Sequence, residues 1–324
     1  MKKKREDEIN ETKRNKRKGY YWYFSFVSSL FVCFVFSFGF SKMVAPLAPA
    51  STYGEPAQIG TITNPMLSEV SGITPSRTFR GLWWVHNDSG DKARIYLIDS
   101  SGKLRGRFTV RGARNRDWED MAGYLEGKKP MLYLADSGDN SHQRDDLTLY
   151  RVREPALAQG LPKKLVEGAT EPADAFPFQY PDGRHDAEAL FVDPQNGRPY
   201  LITKSLSSTC GVYRFPLPLR RKERVTLEKV KGSAVERIAK LLMITGAATA
   251  PDGSRVVLRT YLGAFEMTRA NRSGSFENIF NSELTPIRLP LLRQAEAISY
   301  TLDGKSIVTT SEKIPAPILK LTRN

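Results

Sequence analysis

The chain has 324 residues and carries 49 Lys and Arg against 35 Asp and Glu, which gives a formal net charge of +14. A surplus of this size is typical of a solvated basic surface with affinity for anionic polymers or lipid. The sequence contains no Lys/Arg-rich helix, RNA-binding signature or zinc-finger spacing, so we expect no nucleic-acid partner. Its two cysteines, Cys33 and Cys210, lie far apart in the chain, and only Cys210 belongs to the main domain, which excludes a disulfide or a cysteine metal site there.

The N-terminal part of the chain is basic and then strongly apolar. Residues 1–19 are rich in Lys and Arg, and residues 20–40 form an uncharged aromatic-rich run. Because about 20 apolar residues span a bilayer and basic flanks stay in the cytoplasm, we predict a transmembrane anchor that exports the remainder. A signal sequence cleaved near Ala50 is the alternative, and it would release a secreted protein. Residues 41–57, rich in Ala, Pro and Ser, are predicted to be a linker.

A short acidic motif returns along the rest of the chain. It is strongest around Glu119, Glu188 and Glu296, where a glutamate precedes a small or acidic residue and then an apolar one. Ser71 and Thr245 mark two weaker copies, so the successive spacings are 48, 69, 57 and 51 residues. Imperfect periods of this length are typical of propeller blades.

Each repeat divides into about four short strands separated by Gly, Asp-Gly and Pro turns, which predicts an all-β fold. We therefore predict a five-bladed β-propeller over residues 58–324, with six blades left possible by the 69-residue spacing. The last repeat lacks a fourth strand, and Gln58–Thr63 is expected to supply it. Such pairing of the first strand with the last removes the exposed edge of the ring.

Polar residues are expected to converge at one mouth of the channel. The innermost strand of each blade lines the channel, and residues two apart on a strand face the same way. Antiparallel connections bring the ends of the second strands to the same rim. The sequence therefore predicts a metal-binding set and a catalytic set on this rim: for the metal Asn87, Glu119, Asp136, Glu188 and Glu296, and for catalysis His86, Asp186, Lys204 and Arg259.

The chemistry expected of this rim follows from its charge. Clustered carboxylates need a cation, a basic side chain or protonation to offset their repulsion. Calcium takes six to eight oxygen ligands, so calcium or another divalent cation is the predicted cofactor. His86 or Asp186 would act as a base, while Lys204 and Arg259 would meet an anionic substrate. The alternative is structural, because the glutamates would then bind backbone amides of neighbouring blades and hold the ring together.

Four sequence motifs carry a resemblance to a known group of proteins. They are His86–Gly90, Asp117–Ala122, Asp136–Asn140 and Asp186–Leu190. Together they resemble a widespread, poorly characterised family of exported bacterial β-propeller proteins. The architecture is more distantly similar to calcium-binding propeller hydrolases, namely lactonases, phytase-like phosphatases and esterase-like proteins. That similarity implies a channel cation held by carboxylates and amides.

Three functions remain open at this stage. The first is a membrane-anchored, extracytoplasmic binding module whose rim recognises a carbohydrate, a protein or an anionic small molecule. The second is a calcium-dependent hydrolase of phosphate esters, esters or lactones, in which the metal polarises the scissile oxygen. The third is a glycoside hydrolase with paired carboxylates, which the separation of those carboxylates would test.

Overall fold

The computed structural model describes residues 52–156, 164–205, 210–238, 242–271 and 273–324. The predicted basic segment 1–19, the apolar segment 20–40 and the linker up to residue 51 lie outside the described residues. Among the residues that are described, no helix is both long enough and apolar enough to cross a membrane.

The strands form five separate sheets, and each sheet is one blade of a β-propeller. The chain enters with β1 (Ala57–Ile62), which belongs to the last blade. Blade 1 contains, from the channel outwards, β2 (Val70–Pro75), β3 (Leu82–Asn87), β4 (Arg94–Asp99) and β5 (Leu104–Thr109). Blade 2 contains β6 (Trp118–Glu126), β7 (Lys129–Asp136), β8 (Thr148–Arg153) and, after β9 (Val166–Ala169), β10 (Asp174–Gln179).

The remaining three blades follow in chain order. Blade 3 contains β11 (Asp186–Val192), β12 (Pro199–Lys204), β13 (Val212–Arg214) and, after β14 (Val225–Thr226), β15 (Glu228–Val230). Blade 4 contains β16 (Ile244–Thr249), β17 (Arg255–Thr260), β18 (Gly263–Thr268) and β19 (Leu284–Ile287). Blade 5 contains β20 (Ala295–Tyr300), β21 (Ser306–Ser311) and β22 (Ala316–Thr322). The innermost strands β2, β6, β11, β16 and β20 contact one another in a closed ring around the channel.

The ring closes as the sequence predicts. Strand β1 pairs antiparallel with β22 and supplies the fourth strand of blade 5. Just before β1, the Tyr53 hydroxyl donates to Glu266 of blade 4, and the same buried carboxylate accepts from the Tyr300 hydroxyl at 2.7 Å. Arg323, just after β22, donates to Glu266 at 2.8 Å. Both ends of the propeller are therefore attached to one carboxylate.

The long second spacing contains an extra strand rather than a sixth blade. Strand β9 leaves blade 2 and pairs in parallel with β5 on the outer edge of blade 1. Strand β14 makes the corresponding parallel pair with β10 of blade 2. Each of these two blades thereby gains a fifth strand, and the propeller has five blades.

The core lies between blades rather than within one central cluster. Five hydrophobic clusters fill the five gaps between neighbouring blades. On β12, for example, Leu201 packs towards blade 2, whereas Tyr200 and Ile202 pack towards blade 4. Because successive side chains of a middle strand alternate between two buried faces, these strands are apolar almost throughout.

The repeated motif marks a β-bulge at the start of every innermost strand. In each blade, the pairing register with the second strand shifts at the motif, as between Val70 and Gly72 or between Ala187 and Ala189. Blades 2, 4 and 5 show the same shift. A bulge leaves its extra residue out of the ladder and re-aims its side chain. The bulged positions are Ser71, Glu119, Glu188, Thr245 and Glu296.

Candidate metal centre at the channel mouth

Five carboxylates converge at the mouth of the channel in two overlapping groups. Asp88, Asp117 and Glu119 form one group, and Glu119, Asp186 and Glu188 form the other. Within each group, one oxygen from every side chain lies within 4.8 Å of the others. Glu119 belongs to both groups, so the two sets form one continuous acidic surface.

Burial makes this cluster electrostatically costly. Burial, together with nearby Asp186, raises the pKa of Glu188 from its ordinary 4.5 to about 7 and that of Asp117 from 3.8 to about 6. Burial and the neighbouring carboxylates raise the pKa of Glu119 and of Asp88 well above their usual range. Two negative charges about 5 Å apart repel by about 3 kcal/mol at an effective dielectric constant of 20. The site therefore favours either protons or a multivalent cation.

One basic side chain reaches the cluster. The Lys204 ammonium, at the end of β12, forms an ion pair with Glu188, and it lies 5.8 Å from the centre of the Tyr261 ring. In the described part of the chain, Asp88, Glu119 and Asp186 form no ion pair with Lys or Arg. One ammonium against five carboxylates leaves a large negative surplus.

Blade 5 adds a second pair of carboxylates beside the cluster. Burial and the neighbouring Glu312 raise the pKa of Glu296 well above its usual range, with Glu188 and Asp88 contributing as well. Oε1 of Glu296 accepts a hydrogen bond from the Tyr261 hydroxyl at 3.3 Å. Its Oε2 is buried and has no donor among the described residues, since its neighbour Glu312 is also a carboxylate. This oxygen is available to a cation.

The loop after β7 holds two of the carboxylates in place. Oδ1 of Asp136 accepts from the backbone amide of Asp117 at 3.0 Å. Three residues later, the backbone amide of Asp139 donates to Oδ1 of Asp186 at 2.7 Å. The buried Arg144 guanidinium donates to Asp136 at 2.8 Å and to the Gly138 carbonyl at 2.6 Å, so it locks the loop between them.

Gly138 allows this loop to approach the cluster closely. A Cβ at this position would lie 2.0 Å from Oε1 of Glu119 and 2.5 Å from Oδ2 of Asp117. Any side chain would therefore displace one of these two carboxylates. The glycine of the Asp136–Asn140 motif is required by the site as well as by the turn.

Hydroxyl groups, rather than the glutamates, join neighbouring blades. The Ser71 hydroxyl donates to the Glu119 carbonyl, the Ser137 hydroxyl to the Ala187 carbonyl and the Thr245 hydroxyl to the Ala295 carbonyl. Each bond links one blade to the next. Among the hydrogen bonds of the described residues, no backbone amide donates to the carboxylates of Glu119, Glu188 or Glu296. This geometry favours the metal-binding interpretation of the glutamates over the structural one.

Asp120 carries out the structural role instead. Its Oδ2 accepts from the backbone amides of Leu190 in blade 3 and Ala247 in blade 4, at 2.8 and 3.1 Å. Its own blade supplies a third donor, the amide of Met121 at 2.7 Å. The corresponding position in the other four blades is occupied by a small residue: Gly72, Ala189, Gly246 and Ala297.

The structure brings together only part of the predicted site. Glu119, Asp186 and Glu188 meet directly, Lys204 contacts Glu188, and Glu296 lies at the edge of the same cluster. The predicted ligand set omits Asp88 and Asp117, although both lie on the predicted rim. Asp88 follows the end of β3, and Asp117 stands two residues before a bulged glutamate, which is the signal that identifies them.

The other predicted residues lie apart from the converging groups. His86 is fully buried, its ring meets Trp118 edge-on at 5.6 Å, and burial lowers its pKa to about 4. The Asn87 amide donates to the Met66 carbonyl at 2.7 Å, and Asp136 pairs with Arg144. Arg259 is also fully buried. The catalytic and ligand roles of these four residues stay predictions.

Arg144 is the functional residue that the sequence analysis missed. It lies in the loop between β7 and β8, outside every repeated motif, and its partner Asp136 is eight residues away. No pattern in the sequence identifies which of the many arginines would be buried there.

Comparison with known proteins adds little to the site. No protein-family model and no curated protein matches the chain. The WD40 domain of Pan2 from Neurospora crassa shares 10% identity over 86% of this chain and 98% of its own, with a TM-score of 0.40. A gluconolactonase from Xanthomonas campestris shares 9% identity over 85% of this chain and 89% of its own, with a TM-score of 0.43. The resemblance to exported bacterial propeller proteins therefore stays a prediction, and the fold assignment stands on the sheet topology as a five-bladed β-propeller.

Proposed function

We propose that the protein binds a divalent cation at the channel mouth and uses it to capture an anionic ligand. The observation that carries this proposal is the convergence of Asp88, Asp117, Glu119, Asp186 and Glu188, whose oxygens lie within 4.8 Å of one another in two groups that share Glu119. The cation would offset a repulsion that the single Lys204 ammonium leaves largely unbalanced.

The ligand chemistry favours calcium. All the converging groups are carboxylates, which are hard oxygen donors suited to calcium, magnesium and manganese. Calcium binds oxygen at 2.3–2.6 Å, so two oxygens on one calcium ion are at most about 5 Å apart. The observed limit of 4.8 Å fits this span. Magnesium, with bonds of about 2.1 Å, would require the same oxygens to move closer together.

The cation would remain accessible from one side. Glu119, Asp186 and Glu188 are buried, whereas Asp88 and Asp117 are only half-buried. Ligands on the outer side of the ion would therefore include solvent or an anionic group from outside. A phosphate, a carboxylate or the hydroxyls of a carbohydrate would meet both the cation and Lys204.

Calorimetric titration of the chelator-treated protein tests the cation site. We expect calcium to bind more tightly than magnesium, and Glu119→Gln to remove binding because Glu119 belongs to both groups. Glu283→Gln serves as the matched control, since Glu283 is exposed and remote in sequence from the motifs. Absence of calcium binding to the unmodified protein would end the proposal.

A metal-dependent hydrolase of phosphate esters, esters or lactones is the second candidate. It is favoured by the Lys204 ammonium, which Glu188 fixes beside the acidic groups, where it would stabilise negative charge developing on a substrate oxygen. A bound divalent cation would polarise the same oxygen. His86, being fully buried, is less suited than a solvent-facing aspartate to act as the base.

Turnover assays separate this candidate from pure binding. Aryl phosphate, aryl ester and lactone substrates should each be tested with calcium and with chelator. Hydrolysis that requires calcium and is lost in Lys204→Met, while calcium binding persists, would establish the enzyme. Calcium binding without turnover of any substrate would leave the binding module.

The geometry gives less support to a glycosidase. A glycosidase needs two carboxylates that flank a sugar ring, whereas the oxygens here converge on common points. Export by the N-terminal apolar segment would place the site outside the cytoplasm, where calcium is plentiful. Protease protection in intact cells tests that location.

A further inference from the structure

Arg259 is a buried cation between blades 4 and 5. It lies on β17, is fully buried, and pairs directly with Ala264 of β18. Val257, two residues earlier, and Ala264 both pack into the cluster that also contains Ile298 of blade 5. Since residues two apart on a strand share a face, the Arg259 side chain also points into this gap.

One edge of its guanidinium has no acceptor. Nη1 donates to the Gly263 carbonyl at 2.9 Å. Nε and Nη2 are buried, and within the described part of the chain neither has a hydrogen-bond partner. These two groups form one edge of the planar guanidinium, the edge that binds anions with two parallel hydrogen bonds. Buried Arg144, by contrast, is paired with Asp136.

The folded chain offers no counter-ion for this charge. Among the described residues, Arg259 forms no ion pair with a carboxylate, and burial alone lowers its pKa to about 10. The internal segments outside the described residues are 157–163, 206–209, 239–241 and 272. Their sequences contain no Asp or Glu, so none of them supplies a carboxylate.

A buried arginine with an unused edge is costly. Arginine stays protonated in proteins, and an unpaired buried charge costs several kcal/mol. Each unsatisfied buried donor adds a further penalty of about 1–3 kcal/mol. A small anion would offset both penalties at once.

We infer that the Nε/Nη2 edge of Arg259 binds a small monovalent anion of chloride size between blades 4 and 5. Both N–H groups of the edge converge on one acceptor position, which suits a single spherical ion. Because the side chain is fully enclosed, a bulky organic anion would have to separate the blades. This anion site is distinct from the carboxylate cluster and independent of the proposed function.

Thermal unfolding of the full chain in sodium chloride and in sodium gluconate tests the anion site. Equal ionic strength and constant calcium keep charge screening and the cation site the same in both salts. We expect chloride to raise Tm by roughly 5 °C at a hundredfold excess over Kd, by mass action. Arg259→Met should lose this increment, whereas Arg220→Met, which changes an exposed arginine, should retain it. Equal Tm values for the unmodified protein in the two salts would overturn the inference.

Bromide supplies a measurement that does not depend on the variant folding. Crystals of the unmodified protein grown in sodium bromide should show an anomalous peak within hydrogen-bond distance of Nε and Nη2. A peak without anomalous signal would identify a water molecule, and the inference would then be wrong.

Discussion

Nη2 of Arg144 lies 2.8 Å from Oδ1 of Asp136, and that same oxygen accepts a hydrogen bond from the backbone amide of Asp117. The ion pair is buried on both sides. It fixes the loop whose next turn donates an amide to Asp186. One arginine outside the carboxylate cluster therefore positions a member of each of its two groups.

Replacing Arg144 should weaken both folding and calcium binding. Arg144→Met leaves Asp136 buried without its partner, which is expected to cost about 3–5 kcal/mol of unfolding free energy. The loop would also hold Asp117 and Asp186 less firmly, so Kd for calcium should rise. Arg116→Met is the matched control, because Arg116 binds Asp146, which Arg144 also contacts, but at the surface. Urea unfolding and calorimetry measure the two effects, and equal losses in both variants would contradict the positioning role.

Replacing Glu119 should change stability in opposite directions with and without calcium. In chelator, Glu119→Gln removes one of the repelling charges, a gain on the order of 1–3 kcal/mol that corresponds to roughly 2–10 °C in Tm. In calcium, the variant should lack the stabilisation that binding gives to the unmodified protein. Glu119 suits this test better than Glu188, whose loss would also leave Lys204 unpaired. A lower Tm in chelator would show that the carboxylate has a structural role.

The metal-free protein should lose stability as the pH rises. The raised pKa values of Glu188, about 7, and Asp117, about 6, mean that the folded state keeps protons that the unfolded chain has released. The unfolded state then binds fewer protons, so the free energy of unfolding falls between about pH 4 and pH 7. Calcium should reverse this trend, because it competes with those protons and binds better at pH 7 than at pH 5. Tm values at the two pH values, in chelator and in calcium, provide the check, and a chelator-treated protein more stable at pH 7 would contradict it.

A methyl group at position 138 should damage the site while leaving the fold intact. The Cβ of Gly138→Ala would lie 2.0 Å from a carboxylate oxygen of Glu119, so that side chain must move. Overpacking of this kind typically costs 1–3 kcal/mol, and we expect calcium affinity to fall about tenfold or more. Gly54→Ala is the control, since its Cβ would have no neighbour closer than 3.6 Å. Calorimetric titration of both variants is the measurement, and unchanged affinity in Gly138→Ala would remove Glu119 from the ligand set.

The sequence predicts the architecture because the repeated motif has a physical cause. Each copy is a β-bulge, which must recur at the same place in every blade to keep the ring regular, and so Glu119, Glu188 and Glu296 align. The pairing of β1 with β22 follows from the missing strand of the last repeat. Strand β9 could not be predicted, since a short exposed strand on an outer edge leaves little hydrophobic pattern.

The site was harder to predict than the blades because distance in space decides it. Asp88 and Asp117 belong to different blades, and only the packing of those blades brings their oxygens together. Arg259 shows the opposite case, since its place at the end of β17 indicated the rim, whereas its side chain turns into the gap between blades. The direction of a side chain next to a hairpin is set by local register, which the sequence does not display.

Asp120 gives the propeller a cross-tie that its repeats alone do not provide. In repeat architectures each unit contacts mainly its neighbours, so the units can in principle come apart one at a time. The carboxylate of blade 2 reaches both blade 3 and blade 4, and the second of these is not its neighbour in the ring. Detaching blade 4 would leave a buried anion short of a donor in the middle of the channel. The ring is therefore expected to unfold in a single cooperative step, and its rim can vary in sequence without loosening its centre.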